Sequence, residues 1–154
     1  MSSSITEAKE YKEYKLKCYF AHPYKFKDTP EKYKIMEILK ERGVDAEDPF
    51  VGEDHILKKH GVNEYYEGPS YKLGREIWIR DFNRINTADM ILAWIPITSM
   101  GTSVELYHAY LRGKFIQIIG EIYHPFISYI LTGGNQQFAS IEDFEHLKVM
   151  RWKD

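Results

Sequence analysis

Apolar residues fall into short unbroken runs, separated by stretches in which they recur every three or four positions. Leu16 to Phe20, Ala88 to Ile95 and Lys114 to Ile119 are runs of the first kind. A strand covered on both faces gives such a run, whereas a strand with one wet face alternates. The intervening stretches carry helix signals. Asp28-Thr29-Pro30-Glu31 is a helix start, with a capping residue, an early proline and an early acid. Tyr33, Ile35, Met36, Ile38 and Leu39 follow at near-helical spacing, and Gly43 closes the helix. Val44 to Phe50 reads as a second strand, and a short helix is expected around His55 to His60. Further helices are predicted over Ser70 to Thr87, Thr102 to Arg112 and Pro125 to Leu131. Ser140-Ile141-Glu142-Asp143 starts a terminal helix, and Leu147 to Trp152 reads as an edge strand. Strands alternating with helices imply an α/β fold: a doubly wound parallel sheet of about five strands.

In such sheets ligands bind where strands end and loops lead into helices. Three ends qualify: Tyr19 to Lys25, Asp48 to Gly52, and Ile95 to Glu105. The third is the richest. Ser99-Met100-Gly101-Thr102-Ser103-Val104-Glu105 sets hydroxyls and a glycine at a helix N-terminus, where free N–H groups favour an anion. Local chemistry alone favours a plainer role for Ser99 or Thr102, that of capping the helix. Glu105 stands in the first turn among apolar neighbours, and Asp81 lies 24 residues earlier on the preceding helix. Two carboxyls reaching one pocket can divide the work of a retaining glycosidase, one attacking the anomeric carbon and the other moving the proton. Tyr19 can offer its phenol to a sugar oxygen or to the glutamate, and His22 and Lys25 can serve a phosphate. Asp89, at the start of the third run, is expected to be structural.

Composition narrows the picture. The 154 residues suit one domain, here expected over 15–154 behind a polar leader at 1–14. A net charge of −2 and a pI near 6.3 argue against a protein that coats nucleic acid. One cysteine, Cys18, cannot form an internal disulfide, and no run approaches the length of a membrane span. The cytoplasm is therefore the default expectation. His55 and His60 lack the spacing of a helical zinc pair, so no metal site is expected.

Three segments together carry a resemblance. Tyr19-Phe20-Ala21, Asp81 before Ile85-Asn86-Thr87-Ala88-Asp89, and Ser99-Met100-Gly101-Thr102 leading to Glu105-Leu106-Tyr107-His108-Ala109 resemble the nucleoside 2-deoxyribosyltransferase superfamily. The branch most like this chain is that of the 2′-deoxynucleoside 5′-monophosphate N-glycosidases. The resemblance runs from residue 16 to about 146. It implies a single Rossmann-like (flavodoxin-like) catalytic domain working without cofactor or metal. It implies that Glu105 is the nucleophile, that Asp81 protonates the leaving base and that Tyr19 holds nucleophile and sugar. The nucleoside transferases tend to carry an aspartate where Ser99 stands, whereas the monophosphate hydrolases carry a serine that binds the 5′-phosphate. A hydroxyl at a helix N-terminus welcomes a phosphate that a carboxylate would repel. Gly101 matches the glycine whose N–H approaches that phosphate, with Thr102 beside it. Ser128 matches a serine reaching across a dimer interface, which implies a homodimer or higher assembly. The chain departs from the hydrolases at His22-Pro23-Tyr24-Lys25, where they have a smaller loop containing glycine, serine and an arginine. It is also longer over 51–75, where His55, Tyr65, Tyr66 and Tyr71 are candidates to cover the base. The expected activity is hydrolysis of a nucleotide's base–sugar bond. The alternatives are transfer of the sugar to a second base, or nucleotide binding without turnover.

Overall fold

The computed structural model describes residues 15–63 and 70–151; the expected leader at 1–14 lies outside them. Five parallel strands form one sheet: β1 (Lys17–Ala21), β2 (Asp45–Glu47), β3 (Met90–Trp94), β4 (Phe115–Ile119) and β5 (Gln136–Phe138), in the order β2-β1-β3-β4-β5. The helices are α1 (Pro30–Glu41), α2 (Glu53–Lys59), α3 (Tyr71–Thr87), α4 (Met100–Leu111), α5 (Pro125–Ile130) and α6 (Ile141–Glu145). A 3₁₀ turn, Tyr24–Phe26, follows β1. The fold class is the one the apolar runs predict.

Strand period sorts the core into two layers. Tyr19 and Ala21 of β1, with Ile91 and Ala93 of β3, face Ile85 of α3, Leu106 and Ala109 of α4, and Ile127 and Ile130 of α5. Cys18 and Phe20, with Met90, Leu92 and Trp94, face Ile35, Ile38 and Leu39 of α1 and Phe144 of α6. Burial on both faces explains the continuous apolar runs. The register of β1 on β3 is clamped at its start, where the Asp89 N–H donates to the Lys17 carbonyl (2.9 Å) and the Lys17 N–H to the Asp89 carboxylate (2.8 Å). Asp89 is structural, as expected.

Several elements differ from the sequence reading: β2 keeps only Asp45–Glu47 of the expected Val44 to Phe50, and α2 starts at Glu53 rather than at His55. Residues 147–151 form no strand; the edge strand is Gln136–Phe138 instead. Its pattern is too polar to announce itself, and side chains hold it. Asn135 Oδ1 accepts from the Ile116 N–H (2.8 Å), and Gln117 Nε2 donates to Gln136 Oε1 (2.9 Å). Helix α4 begins at Met100, two residues before the expected Thr102, because Ser99 is its cap. Gly120, just past β4, is required by space: its φ is 147°, and a Cβ there would stand 2.6 Å from the Ile95 carbonyl oxygen.

Candidate active site

Tyr19, Asp81 and Glu105 come from β1, α3 and α4, all on the same side of the sheet. Tyr19 is fully buried in the middle of β1, on the parity that faces α3 and α4. Its phenol oxygen, Asp81 Oδ1 and Glu105 Oε2 are each buried and without a hydrogen-bond partner. Such atoms are costly to keep in an interior unless something else satisfies them. Phenol and carboxylate stand near enough to perturb each other's ionisation, short of the closed geometry of a formed hydrogen bond.

Burial raises every acid in this group. Glu105 is pushed up to about 8 by burial, Tyr19 pulls it back, and the charges of Asp81 and Glu53 push it further up. Asp81 is raised to about 6 by burial, against the opposing pull of Arg80 and Arg84. The Tyr19 phenol lies well above its ordinary range, through burial first and then through Glu105 and Asp81. Near neutral pH Glu105 therefore holds a proton and Asp81 is ionised. Arg80 Nη1 lies 3.8 Å from Asp81 Oδ1, while its Nη2 donates to the Val51 carbonyl.

At the start of α4, the Ser99 Oγ accepts a long hydrogen bond from the Thr102 N–H (3.4 Å). The capping role favoured by local chemistry is thus present, and the hydroxyl proton remains available. Glu105, expected in the first turn, falls in the second because α4 starts earlier; no acid occupies the first turn, so the helix end keeps its positive character. Gly101 is exposed in that first turn. Thr102 is buried, and its hydroxyl has no partner. These residues adjoin Glu105 on one helix.

Three expected residues lie elsewhere. His22 has the opposite parity to Tyr19, so its ring enters the α1 layer. It stacks near Phe20, with its Nδ1 3.0 Å from the Phe20 carbonyl and its Nε2 3.9 Å from Asp48 Oδ1. Asp48 is itself ion-paired with the buried Lys32. Burial lowers His22 to about 4, so it is neutral at ordinary pH. Lys25 is exposed on the 3₁₀ turn. Ser128, half-buried on α5, donates to the Pro125 carbonyl (2.8 Å). Of the residues thought to cover the base, His55 and Tyr71 are exposed, and Tyr65 and Tyr66 lie outside the described residues.

One group escaped the sequence reading. Glu53, the first residue of α2, is only 2% exposed, and neither carboxylate oxygen has a partner. It is pushed up to about 7, by burial first and then by Asp81. A groove of about 960 Å³ between α1 and β2 is a rival location. Its buried charges, Lys32 and Asp48, neutralise each other, whereas the unsatisfied acids gather around Glu105. Among the described residues no group of three or more His, Cys, Asp or Glu is disposed to hold a metal ion. No helix there is long and apolar enough to cross a membrane.

No protein-family model matches the chain, and no curated protein matches it in sequence. Solved structures do. The 2-deoxyribosyltransferase of Bacillus psychrosaccharolyticus superposes with a TM-score of 0.59 at 20% identity, over 90% of this chain and 100% of that one. A conserved protein of Enterococcus faecalis V583 gives 0.60 at 15% identity, over 86% and 96%. The chain shares their fold. The CMP N-glycosidase BcmB of Clostridium botulinum has it too, with a TM-score of 0.51 at 18% identity over 86% and 96% of the two chains. At these identities the likeness speaks for the backbone; the chemistry has to be argued from side chains.

Proposed function

We propose that this protein is an N-glycosidase that hydrolyses the base–sugar bond of (deoxy)nucleoside 5′-monophosphates. One observation carries the reading: the buried, unpartnered oxygens of Tyr19, Asp81 and Glu105 converge on one side of the sheet. Two acids and a phenol with buried oxygens that no hydrogen bond satisfies suit a polar ligand better than a core.

The chemistry follows from their protonation. Near neutral pH Glu105 holds the proton that the leaving base needs, and Asp81 lacks it. Before attack the proton passes from Glu105 to Asp81, and the positive charge that develops at C1′ as its bond to the base breaks favours the ionised Glu105. The Glu105 carboxylate then attacks C1′. The C1′–N bond breaks, its electrons go to the base nitrogen, and Asp81 protonates that nitrogen. Asp81, now ionised, takes a proton from water. The water oxygen attacks C1′ and Glu105 leaves, so two inversions give net retention. Tyr19 holds the nucleophile and the sugar. No step requires a metal or a cofactor.

Ser99, Gly101 and Thr102 are assigned to the 5′-phosphate. Support comes from a helix end free of acids, with one hydroxyl able to donate and another buried without a partner. Lys25, exposed beside the first strand end, is assigned a supporting charge, and His22 shapes the turn that carries it. A second copy of the chain is proposed to cover the outer faces of α4 and α5 and bring its Ser128 to the phosphate. Met100, Val104, Tyr107 and Leu111 line one exposed face of α4, and Phe126 and Tyr129 continue it on α5.

The test is chromatography of nucleotides and nucleosides after incubation with the protein. Wild type is expected to release free base from monophosphates and not from nucleosides. Glu105→Ala is expected to lose on the order of 10⁴-fold or more, and Asp81→Asn about 10²- to 10⁴-fold. Unchanged release in Glu105→Ala would sink the proposal, and nucleotide recovered intact from wild type would leave a nucleotide-binding module. Transfer of the sugar to a second base is the other reading, favoured by the deoxyribosyltransferase among the structural neighbours. A new nucleoside or nucleotide formed on adding a free base would establish it.

A further inference from the structure

Asp81 is flanked on α3 by Arg80 and, one turn on, by Arg84, and both arginines reach across to the segment that leaves β2. Arg84 Nε lies 2.9 Å from the Glu47 carboxylate, and its Nη1 donates to the Pro49 carbonyl (3.3 Å). Arg80 Nη2 donates to the Val51 carbonyl. Side chains four apart on a helix share a face, and the residues these two hold, Glu47, Pro49 and Val51, alternate along the loop. The two grips differ in charge. Arg84 is paired with the Glu47 carboxylate, whereas Arg80 is anchored on an uncharged carbonyl and keeps its charge beside Asp81.

The spare end of the Arg80 fork faces that acid. Nη1 is buried without a hydrogen-bond partner, and 3.8 Å away lies Asp81 Oδ1, buried and equally unsatisfied. A donor and an acceptor that would satisfy each other are thus held just short of bonding range. The guanidinium is planar and rigid, so the bond that fixes one end on Val51 also directs the other. The gap matters to an acid. A closed arginine–carboxylate pair favours the ionised form so strongly that the carboxyl gives up proton transfer. A buried carboxyl with no cation beside it keeps its proton instead. Arg80 stands between these extremes.

We propose that Arg80 is a positioning residue for Asp81: fixed on the Val51 carbonyl, it holds a positive charge close enough to steady the carboxylate and too far to lock it. This rests on the glycosidase reading above, in which Asp81 both takes up and releases a proton. The other charged and titratable groups around Asp81 are Arg84 of α3, Glu47 of β2, Glu53 of α2, Tyr19 of β1 and Glu105 of α4. Among the described residues Arg84 is ion-paired with Glu47, and Arg80 with Asp81 alone. Without the charge of Arg80 the acids outweigh the remaining cation, and the Asp81 carboxyl holds its proton to higher pH.

The experiment is the pH dependence of kcat/KM for base release from deoxynucleoside monophosphates, in wild type, Arg80→Gln and Arg80→Lys. Glutamine can still donate a hydrogen bond but carries no charge; lysine keeps the charge and loses the fork. In Arg80→Gln the acid limb is expected to move up by about one pH unit, while the alkaline limb, set by Glu105, stays in place. Release at pH 5.5 then falls on the order of 5- to 10-fold, and at pH 7.5 by less than about 2-fold. Arg80→Lys is expected to return the acid limb at least halfway to wild type. A purely structural arginine would instead lower release by one factor at every pH and leave both limbs where they were. That outcome, or an acid limb moved as far in Arg80→Lys as in Arg80→Gln, would overturn the inference alone. A wild type that releases no base at any pH overturns the glycosidase reading. The Asp81 carboxyl resonance, followed by carbon NMR in the same three proteins, then decides this one, and a midpoint that Arg80→Gln leaves unmoved overturns it.

Discussion

Glu53, Asp81 and Glu105 are all held above the ordinary carboxylate range, at about 7, 6 and 8. An acid whose folded pKa exceeds its unfolded value, about 4.3 for Glu and 3.9 for Asp, binds more protons folded than unfolded between the two. Its stabilisation is therefore full below the unfolded value and is lost as pH rises through the folded one. His22, lowered to about 4, acts in the opposite direction and withdraws stability as pH falls from about 6.5. Three acids act against one histidine, so the ligand-free protein is expected to lose stability as pH rises from about 4.5 and to melt several degrees lower at pH 8.5 than at pH 5.5. Glu53→Gln and Glu105→Gln should each flatten the alkaline limb. A melting temperature level from pH 5.5 to 8.5 in the wild type would contradict the cluster. Activity follows its own pH curve. Release of base should decline below about 6, where both acids of the pair are protonated, and above about 8, where the shared proton is lost. At this scale Glu105, Asp81 and Tyr19 were legible because residue type and order together carry meaning. Glu53 was not. Gly52-Glu53-Asp54 is what many helix starts look like, and only the packing of Ile56 and Leu57 against Leu73 of α3 draws α2 inward.

Helix α4 is where the cap, the proposed phosphate site and the proposed nucleophile share one element. Capping and phosphate binding by Ser99 can be separated, because aspartate caps as well as serine does but repels a phosphate. Ser99→Asp should melt within a degree or two of wild type while losing preference for monophosphates over nucleosides. Ser99→Ala should cost about 1 kcal/mol of stability. Equal loss on monophosphates and nucleosides in Ser99→Asp would remove the phosphate role. The start of α4 was misplaced by two residues because Gly101 reads as a loop residue, although a glycine in a first turn costs little. Strand β5 was missed for a different reason. Its pairing depends on the amides of Asn135, Gln136 and Gln137, and the Gln137 side chain donates to the Gly120 carbonyl (2.7 Å). An apolar-run criterion cannot see such bonds.

Across the whole molecule, the parallel α/β class was readable because buried strands carry continuous apolar runs, while the strand order was not, and a homodimer was implied by the resemblance alone. The exposed row from Met100 to Leu111 and on to Phe126 and Tyr129 predicts a dimer. Phe126→Glu is expected to yield a monomer by sedimentation and to raise KM for monophosphates, since the partner's Ser128 would be absent. A wild type that sediments as a monomer at working concentration would remove the interface. Gly120→Ala tests the interior. With the Ile95 carbonyl oxygen in the way and a backbone region that side chains avoid, it should cost at least about 1–3 kcal/mol in chemical denaturation. The pair of bonds between Lys17 and Asp89 has a longer reach than its place at the sheet's lower rim suggests. Slide the first strand by a single step and Tyr19 would turn toward α1, with an aromatic hydrocarbon or a thiol rotated into its stead. An aspartate at the start of one strand thus helps decide which side chain of its neighbouring strand faces the proposed site.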